Sequence, residues 1–251
     1  MPVTRHMIPQ GDGTAVELFQ ASAIGTAPTG ALLLVHGNQG GRRLGASQFV
    51  DSGALTRLSS RLNIVTAAVS QPGFGASDGS ADFCGPRTQQ AIIAAVAFLR
   101  EQPAIDPDRI VLYGNSRGAV AAAMVATQPA DLRAVVLASG VYDLKSVFDN
   151  APIGIRKAIE LEAGLSSEVF KARSALHHVG SIRSEILLLH GRHDDRAPVS
   201  QAEAFYEALS DADVPVDLKV FDCGHRIPRD ESQRVLGPFL QRIFTSGATR
   251  H

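Results

Sequence analysis

The sequence predicts an α/β fold, in which a mostly parallel sheet is flanked by helices on both faces. Continuous apolar runs such as 31–35 and 186–189 recur along the chain, a pattern typical of central strands covered on both sides. Segments with apolar residues at helical spacing lie between these runs, and strands that alternate with helices indicate parallel pairing. Because crossovers between parallel strands are right-handed, the carboxyl ends of the strands line one edge, where ligands bind in such sheets.

The strands follow from these apolar runs and from two alternating segments. Residues 15–21 and 216–221 alternate in polarity, which indicates strands with one exposed face, and the first of them is expected to pair antiparallel. Strands are predicted at 15–21, 31–37, 63–69, 110–113, 134–138, 185–191 and 216–221.

The helices are predicted from apolar residues at helical spacing, at 87–100, 119–126, 200–209 and 235–244. Ser200 and Glu203 have the spacing of a capping box, which predicts that a helix begins there. Pro238 falls inside the last apolar pattern. That helix is therefore expected to kink, or to begin late, near Gly237.

Residues 141–180 interrupt the alternation of strands and helices. They contain Asn150-Ala-Pro152, mixed charges and one helical pattern near 155–163. We interpret this segment as a small cap inserted over the strand ends after the strand at 134–138. Internal repeats and low-complexity segments are absent from the sequence, so residues 1–251 are expected to form a single domain.

Composition and charge narrow the class of protein. The 251 residues are 45% apolar and 20% charged, as in ordinary soluble proteins, and the formal net charge is -1. A nearly neutral chain argues against nucleic acid or an anionic membrane as a partner. No apolar run reaches the length of a membrane span, and residues 1–10 lack the apolar core of a secretory signal. We therefore expect a cytoplasmic protein.

The two cysteines, Cys84 and Cys223, suggest neither a disulfide scaffold nor a zinc site with paired C-x-x-C spacing. Both lie beside loops that are expected to rim the site. A single disulfide and two separate thiols both fit this placement, and separate thiols are the commoner outcome. The sequence implies no metal and no organic cofactor.

The most informative segment is a strand that turns into a helix of small residues. Gly114-Asn-Ser-Arg-Gly118 has the G-x-S-x-G spacing of a nucleophile elbow, between the strand at 110–113 and the helix at 119–126. Ser116 is the predicted nucleophile, and the backbone N–H of Arg117 is a predicted oxyanion donor at the helix N-terminus. The alternative is an ordinary turn between a strand and a helix.

A serine hydroxyl needs a general base near neutral pH, and the chain offers eight histidines. His225 follows the last strand, where a loop can carry it over the serine, and it is the predicted base. His36 and His190 each end an apolar strand and are expected to pack or hydrogen-bond within loops. His177 and His178 lie in the insertion and are expected at the surface.

The base in turn needs a carboxylate to hold its tautomer. The loop 190–198 supplies two neighbours, Asp194 and Asp195, at the carboxyl end of another predicted strand. Neighbouring residues in an extended loop point in different directions, so only one of the two is expected to face the histidine.

The second oxyanion donor is expected in the glycine-rich loop after Val35. The backbone N–H of Asn38 is the first choice and that of Gln39 the second. Glycines there let the backbone approach a substrate closely, although they serve equally to make a turn.

These motifs together resemble those of the α/β-hydrolase superfamily, over about residues 14–245. The later half is similar to the catalytic domain of prolyl-oligopeptidase-like and acylaminoacyl-peptidase-like enzymes, and dienelactone-hydrolase-like enzymes are single-domain relatives. By matching position, the resemblance implies that the acidic residue is Asp194, and the chain order of serine, aspartate and histidine is the one expected of the superfamily. The matching segments are His36-Gly37, 72–77, 106–110, 114–118, 140–144, 190–194, 197–209 and Gly224-His225.

The resemblance implies a serine hydrolase with a Ser116–His225–Asp194 triad and an acyl-enzyme intermediate. With 251 residues, we expect the chain to lack the N-terminal β-propeller that filters peptides in the oligopeptidases. We therefore expect a carboxylesterase-like enzyme acting on esters or thioesters of small acyl compounds. The alternatives are a short-peptide peptidase or amidase, and a non-catalytic binding protein with a hydrolase fold.

Four arginines lie near the expected rim of the site: Arg117, Arg192, Arg196 and Arg226. They indicate either a preference for an anionic substrate end or ordinary solvated loop charges. Solvated charges are the commoner case, and they are the interpretation favoured here.

Overall fold

The computed structural model of the protein describes residues 2–22 and 27–245, which form a mixed eight-stranded sheet. The strands are β1 (Val3–Pro9), β2 (Ala15–Ala21), β3 (Thr29–Val35), β4 (Val65–Val69), β5 (Ile105–Asn115), β6 (Ala134–Ala138), β7 (Glu185–Gly191) and β8 (Val216–Phe221). Their order across the sheet is β1-β2-β4-β3-β5-β6-β7-β8. β2 pairs antiparallel with β1 and β4, and the pairs from β3 to β8 are parallel. The predicted, mostly parallel sheet is confirmed.

Burial explains where the strands form. Every residue of β4 and β6 is buried, as expected of central strands with continuous apolar sequences. β8 lies at an edge of the sheet, and its partly buried and exposed residues alternate, as its sequence does. The parallel strands end at one common edge, which places the loops that follow them side by side.

Helices cover both faces of this sheet. α3, α4 and α8 pack on one face, and α1, α2 and α9 pack on the other. The helices are α1 (Ser47–Asp51), α2 (Ala54–Leu62), α3 (Pro86–Arg100), α4 (Arg117–Ala126), α5 (Leu144–Phe148), α6 (Ile153–Glu162), α7 (Ser167–Lys171), α8 (Ser200–Asp211) and α9 (Arg229–Thr245), with a 3-10 helix at Ala175–Ser181.

The structure differs from the sequence predictions at polar or short elements. β1, α1 and α2 were not predicted, and most residues of β1 are exposed or partly exposed, so it carries no apolar run. α9 begins at Arg229, earlier than the predicted 235, and Pro238 lies inside it. The sequence did not indicate this start, because the first turns of the helix are polar and give no periodic signal. The predicted capping box was wrong. Ser200 makes no capping bond, since the helical turn already begins at Val199, whose carbonyl accepts from Glu203 N–H at 3.1 Å.

The segment between β6 and β7 contains α5, α6, α7 and the 3-10 helix. The predicted helix near 155–163 corresponds to α6, whereas α5 and α7 have five residues each and are too short to give a periodic pattern. Ile159 and Phe170 from this segment are buried in the same apolar core as α4. Across the described ranges, the helices are too short or too polar to cross a membrane.

Candidate active site

Ser116 lies in the sharp turn between β5 and α4. Its φ of 52° and ψ of -120° are strained for a residue with a side chain, and packing around the turn maintains them. Ser116 N–H donates to the carbonyl of Ala138 at 2.8 Å. A Cβ on Gly114 would collide with the carbonyl of Gly118, and a Cβ on Gly118 would collide with that of Val35. The close approach of strand and helix therefore requires both glycines.

His225 lies in the loop after β8, and its imidazole faces the serine. Nε2 of His225 lies 2.9 Å from Ser116 Oγ. Nδ1 lies 2.9 Å and 2.8 Å from the two carboxylate oxygens of Asp194. Ser139 Oγ donates to the carbonyl of His225 at 3.0 Å, which holds the loop against the end of β6. The structure thus brings the three predicted side chains into one hydrogen-bonded chain.

Asp194 is buried and tightly held. One of its oxygens accepts the backbone N–H groups of Arg196 and Ala197, both at 2.9 Å. Burial by itself raises the pKa of Asp194, but hydrogen bonds from His190, from His225 and from these two N–H groups outweigh it and hold the pKa well below its ordinary value. Asp194 therefore remains an anion throughout the neutral and mildly acidic range.

His190 supports this loop from the end of β7. Its ring is fully buried, and Nε2–H donates to the carbonyl of Ala197 at 2.8 Å. The same nitrogen lies 3.4 Å from Asp194 Oδ2. The prediction that His190 hydrogen-bonds within a loop is confirmed, and the loop it binds is the one that carries Asp194.

His36 is a second buried histidine, at the end of β3, and it does not reach the serine. Its Nε2 accepts Gln71 N–H at 3.1 Å, so Nδ1 carries the proton and donates to the carbonyl of Gly37 at 3.0 Å. Burial lowers the pKa of His36 to about 4, and the ring is neutral at physiological pH. This confirms the loop role predicted for His36.

The remaining titratable candidates lie at the surface. Asp195 is exposed, and the carboxylate bonded to His225 is that of Asp194. His193 pairs with Asp222 at 2.8 Å, and both side chains are largely exposed. His177 is exposed as well.

Two backbone N–H groups are available beside Ser116 Oγ. Within the described residues, neither the Arg117 N–H nor the Asn38 N–H donates a hydrogen bond to another group of the chain. Asn38 lines the same cavity as Ser116. The Gln39 side chain is engaged elsewhere, because its amide exchanges two hydrogen bonds with the backbone of Gly45 at 2.8 Å and 2.9 Å. Of the two residues predicted to carry the second donor, Asn38 is among those that line the cavity and Gln39 is not.

A narrow cavity opens from Ser116 between the sheet edge and the helices of the insertion. Ser116, Asn38 and His225 line this cavity, and Arg196 and Arg117 are charged residues of the same lining. The remaining wall is mostly apolar, and two of its members come from α5 and two from α6. The apolar lining residues are Phe83, Val120, Val141, Leu144, Val147, Ala151, Ile155, Ile159 and Ala197.

The favoured interpretation of the four arginines as solvated loop charges was wrong for Arg117. Its side chain is 5% exposed and forms an ion pair of 2.6 Å with Glu162, the last residue of α6. The guanidinium lies 5.1 Å and 4.9 Å from the ring centres of Phe74 and Phe83, within cation–π distance. Burial lowers the pKa of Arg117, but the hydrogen bond to Glu162 and the charges around the guanidinium raise it by more, so this side chain stays a cation.

The other three arginines, Arg192, Arg196 and Arg226, are exposed, as the favoured interpretation predicted.

Both cysteines are free thiols. Cys84 is buried beside the elbow, where its Sγ donates to the carbonyl of Arg117 at 3.1 Å, and burial raises the pKa of Cys84 to about 12.

Sequence reasoning missed Glu162 and Phe83. Glu162 is one of several charged residues on α6, and Phe83 follows a loop with no regular pattern. Nothing in the linear pattern links either residue to Arg117, since their contacts cross 45 and 34 positions of the chain.

The sequence pattern of the prolyl oligopeptidase family (peptidase S9) matches residues 83–241, which is more than half of the chain. The chain belongs to the prolyl oligopeptidase family. The part matched to this family runs from the loop before α3 into α9, and it contains Ser116, Asp194 and His225.

Individual proteins resemble the chain in sequence or in fold. The chain is 24% identical over 169 residues to the uncharacterized peptidase YtmA of Bacillus subtilis, and this match covers 65% of each chain, less than two thirds of YtmA. A puromycin-hydrolyzing peptidase of Mycobacterium tuberculosis superimposes with a TM-score of 0.84 at 21% identity, over 95% of this chain and 38% of that one. The Pyrococcus furiosus esterase Pf2001 superimposes with a TM-score of 0.75 at 18% identity, over 96% and 92%. These structures share the α/β-hydrolase fold with this chain.

Proposed function

We propose that the chain is a serine hydrolase that cleaves the amide bond of short peptides or acylated amino compounds through an acyl-enzyme intermediate. One observation carries the proposal. Asp194, His225 and Ser116 form a continuous hydrogen-bonded chain whose links are all 2.8–2.9 Å long. A serine in such a chain has a base positioned to take its proton, and the base has an anion that holds its tautomer.

The proposed reaction has two halves. As Ser116 Oγ attacks the carbonyl carbon, its proton passes to His225 Nε2, and the same proton then goes to the departing amine. A water molecule next loses a proton to His225 Nε2 and attacks the acyl-serine, which releases the carboxylic acid and restores the serine hydroxyl. Asp194 stays ionised throughout and stabilises the imidazolium that forms in each half.

The negative oxygen of each tetrahedral intermediate needs hydrogen-bond donors. The N–H groups of Arg117 and Asn38 are the proposed donors, because both are free of other bonds in the described chain and flank Ser116. The Arg117 N–H also lies at the N-terminus of α4, where the helix dipole favours negative charge.

The comparisons with known proteins are our reason for proposing that the enzyme cleaves amide bonds rather than esters. The sequence alone favoured esters, but the matched family and YtmA are both described as peptidases, which supports amide cleavage. Ester cleavage is retained as a second candidate, because the esterase Pf2001 shares the fold over 92% of its own length. The two activities use the same three side chains, so only substrates can separate them.

We further propose that residues 141–180 act as a cap that shapes the acyl-binding cavity. Leu144, Val147, Ile155 and Ile159 line the cavity from this segment. A narrow apolar cavity favours a small, uncharged group on the acyl side of the cleaved bond.

The first test is labelling with a fluorophosphonate, which reacts with activated serines. Wild type should be labelled, whereas Ser116→Ala and His225→Ala should not. His193→Ala is the matched control, since this histidine lies at the surface, and it should label as wild type does. A folded wild-type chain that takes no label would favour the non-catalytic binding function instead.

The second test ranks substrates by kcat/KM. Aminoacyl and acetyl-aminoacyl p-nitroanilides represent amides, and p-nitrophenyl esters of increasing acyl length represent esters. Turnover of the anilides supports the peptidase proposal. Labelled enzyme that cleaves only the esters would replace it with the esterase candidate.

A further inference from the structure

A charged side chain stands in the otherwise mostly apolar inner wall of the cavity. Arg117 and Phe83 are both among the residues that line the cavity. The Arg117 side chain is almost fully buried, and its guanidinium lies 4.9 Å from the centre of the Phe83 ring. Its Nε donates to the amide oxygen of Gln71 at 3.2 Å, which is a neutral partner. An unbalanced cation here would make the cavity a receptor for anionic groups, because a charge removed from water demands a counter-ion.

Glu162 provides that counter-ion from outside the cavity. Its Oε2 lies 2.6 Å from Arg117 Nη2 and also accepts the N–H of Phe83 at 3.1 Å. Glu162 is not among the residues that line the cavity, and its own side chain is 21% exposed. Within the described residues, Glu162 is the carboxylate that pairs with Arg117.

The neighbouring ionisable groups do not change the charge balance between Arg117 and Glu162. Cys84 is a neutral thiol, since burial raises its pKa to about 12. Asp82 is bound by the hydroxyl of Thr88 and by backbone N–H groups of α3. Arg173 donates to the carbonyls of Asp82 and Phe83 and so holds the cavity-lining Phe83 from the insertion side.

We propose that the Glu162–Arg117 pair is the charge-selectivity element of this site: Glu162 neutralises the guanidinium, so that the cavity takes uncharged apolar acyl groups. This inference rests on the proposed function and names its substrate class. It also predicts that the selectivity can be reversed from outside the cavity. Without Glu162, the guanidinium remains at the wall and is free to pair with a carboxylate on the substrate.

The experiment compares two esters of equal acyl length, p-nitrophenyl valerate and mono-p-nitrophenyl glutarate. The first ends in a methyl group and the second in a carboxylate. Glu162→Gln removes the charge but keeps an oxygen that can accept the Phe83 N–H. It should shift the ratio of kcat/KM toward the glutarate by about 10- to 100-fold, mainly through KM, because a charge-assisted hydrogen bond has that effect on affinity.

Three further variants make the test specific. Glu160→Gln removes an exposed charge from the same helix and should leave the ratio unchanged. Arg117→Met leaves Glu162 unpaired and should move the ratio the opposite way, against the glutarate. The double variant Glu162→Gln/Arg117→Met has neither charge and should return the ratio to near that of wild type. Arg196, which also lines the cavity and is exposed to water, is present in wild type and in all four variants, so its effect cancels in the comparison.

Equal loss of activity on both esters in Glu162→Gln would mean a purely structural pair and would overturn the proposal. If that variant does not fold, Arg117→Met still tests the proposal, since an unchanged ratio of kcat/KM or a shift of that ratio toward the glutarate contradicts the charge balance.

A binding experiment tests the same proposal without catalysis. Pentanamide and its ω-carboxylate analogue glutaramate, titrated by NMR into wild type and Glu162→Gln, should show the same reversal. Failure of the proposed function would instead appear as unlabelled, inactive wild type.

Discussion

The loops at the carboxyl edge of the sheet and the helices of residues 141–180 build the two sides of the same site in different ways. The loops hold individual atoms. Asp194 alone accepts two backbone N–H groups and a histidine, and the elbow is locked by glycine contacts. The insertion instead presents apolar side chains such as Ile155 and Ile159, together with one carboxylate, Glu162.

This difference separates two requirements, the placement of the catalytic atoms and the selection of the substrate. An acyl transfer needs atoms placed to a fraction of an ångström, which only short elements fixed by backbone hydrogen bonds can deliver. Choosing among acyl groups needs a shaped and charge-balanced wall, which tolerates larger changes in geometry. We therefore expect substitutions in the loops to abolish turnover, and substitutions in the insertion to redirect it.

The largest effect is expected at the elbow. Ser116→Ala should lower turnover by about 10⁴-fold or more, because it removes the nucleophilic oxygen that faces His225 Nε2. Its thermal unfolding should stay close to that of wild type, since the side chain is small and half-buried. Turnover measured on the preferred p-nitrophenyl or anilide substrate checks this. Near wild-type activity in a pure, folded variant would contradict the assignment of Ser116.

The next prediction separates two adjacent aspartates of one loop. Asp194→Asn should reduce turnover by about 10⁴-fold, because an amide can donate to Nδ1 and so favours the wrong tautomer of His225. Asp195→Asn is the matched control. It removes an exposed charge one residue away and should cost less than about tenfold. The reverse ranking on a single substrate would move the acidic residue to Asp195.

A substitution in the insertion should have a different signature. Ile159→Ala enlarges the cavity and should move the preferred ester toward longer acyl chains, with a change in kcat/KM of roughly tenfold. It should also lower the free energy of unfolding by about 2–5 kcal/mol, since this side chain is fully buried. Leu161→Ala, on the same helix and 85% exposed, is the control and should change neither quantity measurably. Loss of turnover on every ester alike would show that the insertion serves the chemistry rather than the selectivity.

The same division decides what could be predicted from the sequence. β3 to β7 are recognisable because buried parallel strands are apolar without interruption, and the functional loops must follow their ends. Because Ser116, Asp194 and His225 each follow the end of a predicted strand, this rule predicts that they lie at the same edge of the sheet. β1 lacks this signal, because most of its residues are exposed or partly exposed and it carries no apolar run. The ion pair between Arg117 and Glu162 carries no local pattern at all, so only the folded structure reveals it.

The smallest effect concerns a histidine of the loop region that serves stability rather than chemistry. The pKa of His36 falls from 6.5 to about 4 on folding, because burial disfavours the charged form of the ring. In its neutral form the buried Nε2 accepts the Gln71 N–H at 3.1 Å. Above pH 6.5 His36 is neutral in both the folded and the unfolded chain, so protonation of His36 does not reduce the free energy of unfolding there. As the pH falls from 6.5 toward 4, the unfolded chain binds a proton that the folded chain does not, so stability declines. Between pH 7.5 and pH 5, this single group should remove about 2 kcal/mol from the free energy of unfolding.

Urea unfolding of wild type and His36→Asn at these two pH values isolates the contribution of His36, since every other titrating group is common to both proteins. The variant should be less stable at pH 7.5, and its loss of stability on acidification should be smaller by about 2 kcal/mol. His177→Asn removes an exposed histidine and should keep the wild-type pH dependence. Identical pH slopes in wild type and His36→Asn would mean that His36 can charge in the folded state. The hydrogen bond between the ends of β3 and β4 would then be dispensable, and the loop region would be less tightly fixed than its contacts indicate.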